Sequence, residues 1–306
     1  MGAGHDHDHG HGPKVSATTD RRLLVWALAL ILAFMAVEVV VGFAAGSLAL
    51  LTDAAHMLTD AAAIALALLA MRLAARPPRG GYTYGLKRAE ILSAQANGIT
   101  LILLAGWLGV EAVLRLLDPG EVAGAAVLWT ALAGIVVNLV ATVLIGRANR
   151  RSLNIEGAYQ HILTDLAAFI ATAAAGAVIL LTGFTGADAI ASLIVVALML
   201  KAGLALLRDS GRVLLERAPR GLEPAGINAR MRAVEGVVDV HDLHVWEITS
   251  GEPALSAHVL VRPELDCHGA RLAIEAELYE GYRLTHTTLQ VDHAGPDLLP
   301  IGRAAP

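Results

Sequence analysis

The sequence predicts a polytopic α-helical membrane protein of six spans, followed by a C-terminal cytoplasmic α+β domain of αββαβ order. Three observations predict it. The 306 residues are 56% hydrophobic, with a mean hydropathy of +0.59, above soluble composition. The excess lies in six apolar runs at roughly 22–43, 48–71, 91–114, 124–146, 156–182 and 185–207. Each reaches the roughly 20 residues that span about 30 Å of hydrocarbon. From about residue 215 onward, polar and apolar residues mix again.

The first run follows a polar leader, is too long for a signal h-region and has no small-residue cleavage site, so it reads as a retained span. Basic residues set the topology. Arg21 and Arg22 precede span 1; Arg72, Arg76, Arg79, Lys87 and Arg88 lie between spans 2 and 3. Arg147, Arg150 and Arg151 lie between spans 4 and 5, and Arg208 and Arg212 follow span 6. The opposite-side loops hold only Arg115, at a helix end. By the positive-inside rule both termini are cytoplasmic. The single cysteine, Cys267, excludes an intrachain disulfide.

Spans 2 and 5 carry a repeat: HMLTDAAAIA at 56–65 and HILTDLAAFI at 161–170. Residues four apart share a helix face, so His56 points with Asp60 and His161 with Asp165. The two spans run in opposite directions, and the pairs can face each other near the membrane middle. A charged Asp at a helix centre costs about 2.5–3.5 kcal/mol on insertion scales. Polar glue between helices is the bland account of one such pair; two pairs on opposed helices favour a bound divalent cation. Two imidazoles and two carboxylates are the four N/O ligands tetrahedral Zn²⁺ accepts, and the carboxylates balance its charge. The absence of Cys disfavours Cu(I), and the small oxygen count disfavours Mg²⁺ and Ca²⁺. Cd²⁺, Co²⁺, Fe²⁺ and Mn²⁺ stay open as secondary ions.

These motifs, with GYTYGLKRAEILSAQANG after the basic loop and VHDLHVW in the tail, resemble the cation diffusion facilitator family of zinc transporters from about residue 20 to 295. The resemblance implies a transport site from helices 2 and 5 with His56, Asp60, His161 and Asp165 as ligands. It also implies a homodimer and export of cytoplasmic metal against proton entry. In the family, His rather than Asp at the first ligand position accompanies preference for zinc over cadmium.

Asp53, three before His56, has Ala158 as its counterpart in the repeat; it reads equally as an outer proton acceptor or partner of His56, or as a residue at the wet mouth. Glu38, Gln95, Asn97, Glu111, Asn138 and Asp188 read first as interhelical hydrogen-bonding or helix-end groups, with Glu38 and Asn138 as candidates for lining the ion path.

The tail reads as a helix within 222–236, a strand at 237–249, the turn SGEP, a strand at 254–263, a helix from 268 and a strand at 287–293. Helices on one face of a small sheet are expected. Strict alternation would set His241 with Leu243 and Val245 on one strand face, and His244 with Trp246 on the other. The resemblance makes His241, His258, His268 and Asp292 a candidate zinc set. Gln290 stands where some relatives have His, and Cys267 beside His268 is a substitute soft ligand. The competing account is ordinary polar residues of an α/β domain, which is how His244, His286 and His293 are read.

Residues 1–20 form a leader in which MGAGHDHDHGHG suits loose metal capture and cannot build a core. The expected organisation is thus leader 1–20, transport domain 21–208, regulatory and dimerisation domain 215–296 and tail 297–306. Metal binding needs neutral His and ionised Asp, so protons expel metal, and alternating access would expose one site to each side in turn. An intramembrane metalloenzyme would need an open metal position and a base such as HExxH supplies, which is absent. A membrane metal sensor would need a signalling motif in the tail. The chain therefore reads as a secondary transporter, with Zn²⁺, protons and the lipid bilayer as partners and no nucleic acid. Compact loops point to a bacterial inner membrane.

Overall fold

The computed structural model describes residues 17–45, 48–117, 124–184 and 186–295. Within its helices, the side chains of residues 17, 38, 41–45, 48–56, 59, 124–127 and 188 lie outside the description. The expectations for the leader and for the side chains of Glu38, Asp53, His56 and Asp188 therefore fall outside the described residues.

Six long helices come first: α1 (Ala17–Ala45), α2 (Leu48–Ala74), α3 (Ala89–Leu117), α4 (Gly124–Gly146), α5 (Leu153–Thr182) and α6 (Gly186–Leu214). Among the described residues, four segments are long and apolar enough to cross a membrane: Ala89–Leu117, Leu128–Gly146, Leu153–Thr182 and Ala189–Leu214. The helices overrun the apolar runs at several ends because helix length is set by backbone hydrogen bonding, not by the bilayer. Gly183 ends α5 in the left-handed region at φ 72°, its N–H returning to the Ile179 carbonyl at 2.8 Å.

Contacts divide the chain at Arg208/Asp209. In the first unit, Leu24 and Ile31 of α1, Met57 and Ile64 of α2, Ile145 of α4 and Ile155 and Ile162 of α5 form one buried cluster. Leu101 and Ala105 of α3 pack with Val195, Met199 and Leu206 of α6 in another. Glycines let those two helices approach closely: a Cβ on Gly203 would fall 2.9 Å from the Gly98 carbonyl oxygen. Helix α5 also packs on α2 and α3, which places it at the centre of the unit.

The second unit contains α7 (Pro224–Arg232), β1 (Val237–Glu247), β2 (Pro253–Val261), α8 (Cys267–Tyr282) and β3 (His286–His293). Strand β2 is central, antiparallel to β1 and parallel to β3. One sheet face (Val240, Val245, Leu255, Ala257, Val259, Val261) packs on Ile227 and Met231 of α7 and Ile274 and Leu278 of α8. Each large apolar side chain so buried contributes about 1.5–3 kcal/mol. Asp266 caps α8, accepting from the backbone N–H of His268 at 3.1 Å and Gly269 at 2.9 Å.

The strict alternation expected for β1 does not hold. His241 pairs with His258 and His244 with Ser256, so three steps on β1 match two on β2. The extra residue is a β-bulge, with Asp242 in the left-handed region at φ 51°. It returns His244 to the face of His241, opposite the helices, while Val240 and Val245 both stay in the core.

Candidate metal centre

The site is built by α2 and α5. Four-residue spacing puts His161 and Asp165 on one face of α5. His161 Nε2 lies 3.0 Å from Asp60 Oδ1 across the interface and 3.9 Å from Asp165 Oδ2. One ligand atom from each of Asp60, His161 and Asp165 falls within 4.8 Å of the others. A tetrahedral ion with bonds of about 2.0 Å has ligand–ligand edges of about 3.3 Å, between the two measured separations. Small side-chain adjustments therefore suffice to close the three donors on an ion.

Burial sharpens the point. His161 is 1% exposed and Asp60 6%. Yet among the described residues the Nδ1 of His161 and the Oδ2 of Asp165 have no hydrogen-bond partner. Buried polar atoms are nearly always satisfied, and one left unpaired costs about 1–3 kcal/mol. A carboxylate oxygen left over beside an imidazole and a second carboxylate is a donor set for a cation.

A second cross-connection fixes the register of the pair. The Asn154 side-chain amide donates to the Ala67 carbonyl at 2.9 Å. Asp60 thus faces His161, and seven residues further along α2 Ala67 faces Asn154, seven residues back along α5. The two helices are antiparallel and in step over two turns.

The other polar residues divide. Asn138 is fully buried on α4, donating to the Gly134 carbonyl at 3.2 Å. Glu111 pairs with Arg115 on an exposed face. Asn97 is buried with its Nδ2 unpartnered. Sequence reasoning passed over Ser93 and Asn154. The latter's available signal was its place seven residues before His161, on the same helix face.

In the second unit the open sheet face carries a row of His241, His258 and Gln290, flanked by Asp292 and, past the bulge, by His244. The His241 and His258 rings stand 5.5 Å apart, edge to face. Asp242 has one oxygen 2.9 Å from His244 Nε2 and the other 3.9 Å from His258 Nε2. The hydrogen bond from His244, aided by the nearby imidazoles, holds the Asp242 carboxyl below its usual range. The Gln290 amide donates to Asp292 at 2.8 Å. His268 is exposed in the first turn of α8, which covers the opposite face. It does not join His241, His258 and Asp292, and the ligand atoms of those three are themselves not gathered as closely as those of Asp60, His161 and Asp165. Cys267 lies with His293, Sγ to Nε2 3.4 Å, and His293 also meets the Leu265 carbonyl at 2.9 Å. Asp242 and His244 were missed as members of this cluster because the bulge that gathers them leaves no hydropathy signal.

A helical bundle whose buried contact between two spans is a His and two carboxylates, joined to a small α+β domain, defines a membrane carrier of divalent metal cations. Comparison with known proteins gives the same class. The cation efflux transmembrane domain matches residues 24–215, and the cation efflux protein cytoplasmic domain matches residues 219–294. A cadmium, cobalt and zinc/H⁺–K⁺ antiporter of Bacillus subtilis is 36% identical over 89% of this chain and 89% of its own length. The zinc transporter ZitB of Escherichia coli is 38% identical over 91% and 90%. The metal cation efflux system protein CzcD of Cupriavidus metallidurans is 36% identical over 96% and 91%. The chain belongs to the cation diffusion facilitator family, and it is a metal-cation efflux transporter rather than an enzyme.

Proposed function

We propose that the chain exports Zn²⁺ from the bacterial cytoplasm in exchange for protons, by alternating access of a tetrahedral site made of His56, Asp60, His161 and Asp165. The observation that carries this is the convergence of Asp60, His161 and Asp165 from two helices, with buried donor atoms left unpaired. The register supports His56 as the fourth ligand. With Asp60 level with His161, the same antiparallel step sets position 56 level with Asp165. Two neutral imidazoles and two carboxylates favour Zn²⁺ and leave the loaded site without net charge. The named substrates of the relatives make Cd²⁺ and Co²⁺ the nearest competitors; Fe²⁺ and Mn²⁺ are weaker candidates.

Proton coupling follows from ligand chemistry. Imidazole titrates nearest neutral pH, so a proton arriving from an acidic exterior competes with the metal for the same nitrogen. Helix α6 leads into the domain matched as cytoplasmic. Its antiparallel neighbour in sequence, α5, therefore begins on the cytoplasmic side, in accord with the basic α2–α3 and α4–α5 connections. We assign domain boundaries 1–20, 21–208, 215–296 and 297–306, with a homodimer held in part by the α+β domain. The leader gathers metal without being needed for turnover. His241, His258 and Asp292 form a regulatory zinc cluster on the open sheet face, and His268 reaches it only if a second chain supplies it.

Zinc flux into proteoliposomes under an imposed pH gradient tests the reading, comparing wild type with Asp60→Ala and Asp165→Ala. Loss of gradient-driven flux in both folded variants is expected. Normal flux in both would make the buried cluster structural, and flux of another ion alone would overturn only the choice of zinc.

A further inference from the structure

Between α3 and α5, on the side where α5 begins, lie polar atoms that the metal centre does not use. Ser93 and Asn97, four apart on α3, are 3% and 2% exposed, and Asn154 on α5 is 0% exposed. Among the described residues, the Ser93 hydroxyl, the Asn97 Nδ2 and the Asn154 Oδ1 each lack a hydrogen-bond partner. Asn97 is set against Gly157: a Cβ there would lie 3.4 Å from Asn97 Nδ2 and 3.5 Å from the Ala94 Cα. On α5 the order Asn154, Gly157, His161 follows one face at spacings of three and four. At 1.5 Å rise per residue, Asn154 stands about 10 Å from His161 along the axis. At the mouth, the Ser152 hydroxyl donates to the Glu90 carboxylate at 3.1 Å.

Three unsatisfied neutral groups on one interhelical seam, each almost wholly buried, make a surface that water wets and lipid does not. A glycine opposite one of them leaves a gap there that a methyl group would fill. The seam starts at a carboxylate on the inner rim and ends one turn from a ligand of the metal centre. Neutral hydroxyl and amide groups can replace part of the hydration shell of a divalent ion without holding it as tightly as a carboxylate. We propose that Ser93, Asn97 and Asn154 line the inner vestibule through which the hydrated cation reaches Asp60, His161 and Asp165 when the α3–α5 seam opens. The inference rests on the reading of those three residues as the transport site.

The test uses the full-length protein with Cys267→Ser, which removes the one native thiol. Asn97→Cys is expected to react with a membrane-impermeant thiol reagent applied from the cytoplasmic side, and Zn²⁺ is expected to slow that reaction. Asn97→Leu and Gly157→Ala are expected to lower zinc flux about tenfold, the effect of leaving one wetted group unserved. Equilibrium zinc affinity in detergent should stay at the wild-type value, and Asn97→Ser should recover flux. An Asn97→Cys thiol that is inert, or reached only from the outer side, overturns the proposal. So does wild-type flux in both Asn97→Leu and Gly157→Ala, or a parallel fall of flux, zinc affinity and thermal stability, which marks a packing role. Failure of the underlying reading shows separately, as full flux in Asp60→Ala.

Discussion

Asp60 and Asp165 are chemically alike but differently supported, and neutral substitutions should separate them. Asp60 holds the His161 imidazole at 3.0 Å. Asp165 keeps a buried oxygen without a partner, and ligand oxygens of the two carboxylates lie within 4.8 Å. Two full charges at 4.8 Å, the largest separation these atoms allow, repel by about 3.5 kcal/mol at an effective dielectric of about 20, a value that partial protonation lowers. Asp165→Asn removes the repulsion and keeps the shape, so the metal-free protein should melt higher. Asp60→Asn removes the same repulsion but weakens the 3.0 Å contact of the imidazole, so its melting point should fall below that of Asp165→Asn. Loaded with metal, the two should agree. Removing one partner of a buried charge pair costs about 3–5 kcal/mol, or roughly two to four decades in affinity. Thermal melts in detergent with and without Zn²⁺, together with zinc titration, read both effects. Wild-type zinc stabilisation in either variant would refute that carboxylate as a ligand. A metal-free melting point lowered equally in both would refute the unequal support described for them.

Other outcomes follow from packing and capping. A Cβ on Gly134 would sit 2.3 Å from the Phe169 ring, so Gly134→Ala should part α4 from α5, cost about 1–3 kcal/mol and lower the melting point. The backbone N–H groups of Gly269 and His268 hold the Asp266 carboxyl below its ordinary 3.8. Its capping contribution is therefore complete above that pH and lost as pH falls through the depressed value. Asp266→Ala should lower the stability of the cytoplasmic domain at pH 7 and lose its effect in strong acid, as followed by the melting of the full chain. His258→Ala should reduce the zinc bound per chain at equilibrium by more than His268→Ala at low protein concentration, where a second chain is dissociated; equal losses would contradict the open-face cluster.

Much of this architecture was legible because membrane spans and half-buried strands write their periods directly into the sequence. The repeat at 56–60 and 161–165 pointed to the candidate metal centre, of which Asp60, His161 and Asp165 converge, for the same reason: a polar residue inside a span is costly, and a costly residue stands out. The local and the wetted features were hidden. At Asp242 a single residue enters the left-handed region, which Asp tolerates better than most but which no periodicity marks. One such residue moves His244 across the sheet and changes which ligands can meet. Ser93 and Asn154 are small polar groups near helix starts, where such residues are ordinary; only the packing of the helices shows them buried, with the Ser93 hydroxyl and the Asn154 Oδ1 unpaired among the described residues.

The antiparallel register of α2 and α5 explains why the motif occurs twice. With two helices running in opposite directions and in step, a His four residues before an Asp on each puts every His level with the other helix's Asp. With His56 as the proposed fourth ligand, the donor set would be close to two-fold symmetric about an axis between the helices, and by itself would offer the same face to either side of the membrane. Net direction is set by the gradient of the exchanged ion, and the surroundings set how readily each side is reached. The residue that corresponds to Asn154 in the first copy of the repeat is Ala49, and the one that corresponds to Asp53 in the second is Ala158. Only the start of α5 carries the amide that bonds across to Ala67 and borders the polar seam with Ser93 and Asn97. On the proposed reading, a symmetric cage in asymmetric walls would leave the direction to the opposing ion's gradient while each wall sets how fast its side exchanges.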